Sequence, residues 1–189
     1  MLPVSELNLR TPRVYVCFDA AGAGGPAKSD IKYYYLLRAW RATRHLALPF
    51  VDMHELSVSK CSAESKETRL KRELAFRIES SNVLLLVVTS RTRSNTTWIP
   101  WEISFAAHRC DLPVICSYPG VGAIVDTQSV QSLWPEMLCE LIDRQQIRSL
   151  HIPFRYPCIS QAIKDCTNGH EPRSVLATYA PTRYAQWGF

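Results

Sequence analysis

Short apolar runs alternate along the chain with stretches whose apolar positions recur every three or four residues, the pattern of strands alternating with helices. Residues 13–18 (RVYVCF) are β-branched and aromatic and follow Pro12, which predicts a first strand. From Asp30 onward Tyr33, Leu36, Leu37 and Trp40 lie on one helical face, predicting a helix to about residue 45, and residues 49–52 (PFVD) predict a short second strand. The next helix carries Leu70, Leu74 and Ile78 as its stripe, with Glu67 and Lys71 paired outside. Residues 82–89 (NVLLLVVT) are apolar nearly throughout, as a central strand covered on both faces requires.

A polar stretch rich in capping residues (SRTRSNTT) then leads into a helix over 98–109, where Pro100 is tolerable only in the first turn. Residues 112–116 (LPVIC) predict a fourth strand, ended by Tyr118-Pro119-Gly120. Further on, the pattern predicts a helix over 130–142 despite Pro135, a fifth strand over 147–154 and a helix over 159–166. Residues 171–189 are aromatic and proline-rich without periodicity, so we expect one domain over 1–170 followed by a tail.

Strands alternating with helices imply a mostly parallel sheet, with ligands beyond the carboxyl ends of the strands. Those ends are Phe18-Asp19, Asp52, Ser90-Arg91 and Ser117.

Composition narrows the class without naming a function. The chain has 189 residues, 47% hydrophobic and 21% charged, in the range of a single globular domain. Its longest apolar run, 83–88, is far too short to span a membrane, and the basic-then-apolar layout of a signal peptide is missing, so a cytoplasmic location is expected. The seven cysteines form no CxxC pair, which favours free thiols. The net charge of +5 is scattered and makes no case for nucleic acid. Neither the five histidines nor the cysteines fall at metal-ligand spacing, so no metal is expected.

Two phosphate-binding patterns overlap after the first strand. Residues 22–27 fit GxGxxA, with Asp52 placed as a ribose acid, but Pro26 falls where N–H groups should meet phosphate. Residues 22–29 (GAGGPAKS) approach a phosphate loop using Lys28 and Ser29, except that Ala27 replaces the glycine before the lysine. A plain flexible loop accounts for both better.

The third constellation is residues 98–103 (WIPWEI). On a helix Trp98 and Glu102 are one turn apart and Phe105 continues the face, so an acid stands among aromatics at the amino-terminal end, beside the expected crevice. A carboxylate there can hold sugar hydroxyls and stabilise an oxocarbenium-like transition state. Spacing alone favours a plainer arrangement, a helix-start glutamate near the dipole with core tryptophans.

A first strand ending in Phe18-Asp19, a central strand followed by Ser90, a polar loop and then Trp-x-x-x-Glu-Ile resembles the TIR superfamily over residues 13–119, and within it most the TIR-like proteins of the bacterial Thoeris antiphage system. The resemblance implies a flavodoxin-like three-layer α/β sandwich around a mostly parallel five-stranded sheet. It also implies cleavage of NAD, as substrate rather than cofactor, with cyclisation of the ADP-ribose into a signal for an effector protein. Glu102 would be the catalytic acid, and Phe18, Asp19, Asp52, Ser90 and Trp98 would bind substrate. A homo-oligomer or a phage-derived trigger is expected to switch it on. The rivals are a catalytically silent TIR-like adaptor and a nucleotide enzyme built on Lys28 and Ser29.

Overall fold

The computed structural model describes residues 11–20, 29–46, 48, 50–55, 65–170 and 174–189. Its strands are β1 Arg13–Cys17, β2 Val51–Asp52, β3 Val83–Val87, β4 Val114–Tyr118, β5 Ser149–Pro153 and β6 Leu176–Ala177. All pair in parallel, in the order β2-β1-β3-β4-β5-β6. The expected five strands are thus joined by a sixth at the β5 edge. The helices are α1 Ile31–Ala42, α2 Lys66–Glu79, α3 Ser90–Ser94, α4 Trp98–His108, α5 Glu136–Asp143, α6 Tyr156–Thr167 and α7 Pro181–Gln186.

The period of two along each strand divides the core into two layers. Tyr15, Cys17, Leu84, Leu86, Val114 and Cys116 face α2, α4 and α5, whose Leu74, Ile103 and Leu138 complete that side. Val14, Val16, Leu85 and Ile115 face α1, α6 and α7, with Leu37, Ile159 and Tyr184. Every residue of β3 is buried, which explains its unbroken apolar run.

Several boundaries differ from the sequence pattern for identifiable reasons. The polar stretch after β3 contains α3, because Thr89 and Thr92 form a reciprocal capping box there. Pro135 divides the helix expected over 130–142 into a 3-10 helix, Thr127–Leu133, and α5, for which it is the N-cap. The helix expected over 159–166 starts earlier, with Pro157 accommodated in its first turn. Of the aperiodic tail, the described part adds β6 and α7 and buries Tyr184. Pro119-Gly120 turns the chain after β4, with Gly120 at φ 75°. Among the described residues, no helix is long and apolar enough to cross a membrane.

Candidate active site

The sheet order reverses between β1 and β3, which emerge side by side from a parallel sheet, so a crevice opens at their carboxyl ends. Alternation along β1 turns Tyr15 and Cys17 toward α4, and Glu102, one turn into that helix, comes down on both. Tyr15 donates its hydroxyl to Glu102 Oε1 at 2.9 Å, and the Cys17 thiol donates to Oε2 at 2.7 Å. Glu102 is 7% exposed.

Burial pushes the Glu102 carboxyl up to about 7, although both donors favour its charged form. A displacement of that size corresponds to about 3 kcal/mol. The folded chain binds this proton more tightly than the unfolded one, so the associated stability is complete below the ordinary value of 4.5 and is lost as pH rises through about 7. Glu102→Gln cannot ionise, so its melting temperature is expected to gain on wild type between about pH 5 and pH 8. A constant gap in thermal melts across that range would mean that Glu102 titrates like an exposed carboxyl.

The carboxylate borders a cavity of about 350 Å³ walled by Phe18, Ala20, His54, Leu70, Leu74 and Trp98. Leu70 belongs to the α2 stripe but is 38% exposed, because the stripe continues past the core onto this wall. His54 arrives on a 3-10 turn, Met53–Glu55, directly after β2. Its Nε2 lies 2.6 Å from the Val16 carbonyl oxygen, and its ring stacks on Tyr15 with centroids 5.0 Å apart. Burial lowers the His54 pKa. Asp52 is fully buried behind this wall, where it accepts from the His54 backbone N–H at 3.0 Å and the Tyr34 hydroxyl at 2.8 Å. Tyr34 in turn stacks on Phe18 at 5.1 Å.

A second, more polar cleft of about 540 Å³ is lined by Asp19, Ser90, Arg91 and Ser94, and it shares Asn95 and Trp98 with the first. Asn95 joins the two halves. Its Oδ1 accepts from the Trp98 and Ile99 N–H groups at 3.1 and 3.3 Å, and its Nδ2 donates to Asp19 at 3.0 Å. Those bonds cap the start of α4, where Pro100 in the first turn brings no N–H of its own. The Asp30 carboxylate accepts from the Thr89 hydroxyl at 2.7 Å and fastens the start of α1 to the loop after β3.

Of the residues expected at the site, Glu102, Phe18 and Trp98 meet around the first cavity, and Asp19 and Ser90 line the second. Asp52 supports the wall from behind through Tyr34 and His54. Phe105, expected beside Glu102, stacks on Trp101 at 5.1 Å instead. Tyr15, Cys17, His54 and Asn95 were not anticipated. Spacing of two in RVYVCF was the available signal for the first pair, and the capping-rich stretch was the signal for Asn95. The glycine-rich patterns and Lys28 lie outside the described residues; Ser29 is buried and accepts from the Ile31 N–H at 3.4 Å.

The family model described as Thoeris protein ThsB, TIR-like domain, matches residues 15–121. That span includes every residue named in the two cavities. No curated protein matches the chain. Among solved structures, a conserved protein from Enterococcus faecalis is 11% identical, covering 82% of this chain and 98% of its own, with a TM-score of 0.49. The TIR domains of the activated Roq1 resistosome, which recognises the pathogen effector XopQ, are 14% identical, covering 84% of each chain, with a TM-score of 0.38.

Proposed function

The chain belongs to the family of the Thoeris ThsB TIR-like domain, and from that premise we propose that it cleaves the glycosidic bond between nicotinamide and ribose in NAD and joins the freed ribose carbon to a nucleophilic atom of the same molecule, making a cyclic ADP-ribose-type signal for an effector protein. The observation that carries this reading is the buried Glu102 carboxylate, held by Tyr15 and Cys17 at the edge of a largely apolar cavity.

Nicotinamide leaves as a neutral molecule from a cationic pyridinium, so the reaction needs a group that stabilises positive charge on the ribose more than it needs a strong acid. Ionised Glu102 supplies that charge, and a low-dielectric setting strengthens it. Phe18, Trp98 and Leu70 wall a space suited to the flat pyridine ring, and their apolar surfaces exclude water. The polar cleft past Asn95 and Trp98, with Ser90, Arg91 and Ser94, suits the diphosphate and the second ribose. The product's reader, a phage-derived trigger and a homo-oligomeric active form belong to the same proposal.

Because the ionised form of Glu102 acts, kcat/KM for NAD is expected to rise across about pH 7. Tyr15→Phe and Cys17→Ala each remove a donor from the carboxylate, so the rise should move to higher pH in both. A pH profile unchanged in both variants would mean that another group limits the rate.

The deciding assay incubates the purified chain with NAD, alone and in lysate from phage-infected cells, and follows nicotinamide and nucleotide products by mass spectrometry. Nicotinamide release with a product at the mass of a cyclised ADP-ribose supports the enzyme. No turnover by folded protein under either condition would replace it with a silent adaptor.

A further inference from the structure

His54 stands on the wall of the Glu102 cavity, and charge stabilisation by Glu102 gives it no task. Its Nε2 faces the Val16 carbonyl oxygen, which only accepts, so the ring hydrogen sits on Nε2 and Nδ1 keeps a lone pair. Among the described residues, Nδ1 has no hydrogen-bond partner.

The ring is held from several sides. Tyr15, which donates to Glu102, stacks on it with an interplanar angle of 24°, and Phe18 and Tyr34 close around it at 5.8 and 5.3 Å. Asp52 fixes the backbone N–H of the same residue. A fixed tautomer whose other ring nitrogen has no partner among the described residues, on the wall of a ligand-sized cavity, is the arrangement of a general base.

We infer that His54 Nδ1 takes the proton from a hydroxyl nucleophile, water or a ribose hydroxyl, as that oxygen displaces nicotinamide at the Glu102 site. The inference rests on the NAD-cleavage reading and assigns the nucleophile's chemistry within it. The nucleophile's oxygen forms the new bond to C1′. The C1′–N bond breaks with its electron pair going to the pyridinium nitrogen, and nicotinamide departs neutral. The hydroxyl proton ends on His54, which returns it to solvent.

The charge setting agrees with this role. Burial lowers the His54 pKa, the Val16 carbonyl and Asp52 on β2 work against that and Arg77 on α2 works with it, while Tyr15 on β1, Tyr34 on α1 and Glu102 on α4 complete the surroundings. Burial thus favours the neutral imidazole, the form whose Nδ1 lone pair can accept a proton. Two groups in one cavity, an acid displaced upward and a base displaced downward, divide the labour between cation stabilisation and proton removal.

A pyridine nucleophile carries no proton to remove, so exchange of nicotinamide for 3-acetylpyridine needs Glu102 but not His54. Wild type and His54→Gln, whose amide N–H can still donate to Val16, are each given NAD with and without 3-acetylpyridine. The expected result is a fall of about a hundredfold in hydrolysis and cyclisation in the variant, with exchange kept within about threefold. His54→Ala should show the same split, with the hydroxyl reactions restored by added imidazole; this variant decides the matter if the glutamine one does not fold. Equal loss of both reactions at a wild-type melting temperature, no loss of either, or no rescue by imidazole would overturn the role of His54. Wild type that performs neither reaction would instead overturn the cleavage reading itself.

Discussion

Glu102→Gln is expected to lower nicotinamide release from NAD by about a hundredfold to a thousandfold, the usual effect of removing one preorganised stabiliser of transition-state charge. Glutamine matches glutamate in shape, so α4 and both cavities should keep their form. The loss is of charge and of one acceptor. A glutamine presents one oxygen where Tyr15 and Cys17 each now donate to a separate carboxylate oxygen, and its amide cannot neutralise an oxocarbenium-like ribose. Steady-state kinetics should place the effect in kcat, with KM little changed, because the interaction forms mainly in the transition state. A variant retaining more than about a tenth of wild-type activity would remove Glu102 from the centre of the reaction.

Tyr184→Ala is expected to destabilise the fold by about 3–5 kcal/mol, as truncation of large buried aromatics does, lowering the melting temperature by on the order of 10 °C in a chain of this size. Tyr184 is 1% exposed. It lies edge-on to Tyr179, Trp187 and Phe189, with centroids 6.4, 5.8 and 5.3 Å away. The residue belongs to the layer opposite Glu102, so NAD cleavage by the folded fraction should be nearly unchanged at low temperature. Thermal melting together with activity separates the outcomes: an unchanged melt would make the C-terminal segment an appendage, and lost activity without lost stability would connect it to the site.

The strands legible in the sequence were those whose side chains announce both faces. Residues 83–87 could hardly be anything but a central strand, and the β-branched and aromatic run RVYVCF after Pro12 marked β1. Strand β6 was illegible because it is two half-buried residues long, held at its start by the Ser149 hydroxyl and backbone N–H bonding the Val175 carbonyl. Nothing local specifies a pairing of that kind. At the site, helical spacing put Trp98 and Glu102 together, and strand ends supplied Phe18, Asp19 and Ser90. The strand-end rule placed Asp52 at the crevice as well, but the chain turns at once into a 3-10 helix that tucks Asp52 behind the wall and presents His54. The displaced Glu102 pKa is a consequence of burial between layers, which a one-dimensional pattern does not carry.

The sheet's two outer strands, β2 and β6, are each two residues long. A long bare strand offers a row of unpaired N–H and C=O groups to any other extended chain, and that is a route to fibrous aggregation. Among the described residues, the outer rows hold too few groups to template such growth. At high local concentration, edge-to-edge pairing of copies through these two strands is therefore disfavoured.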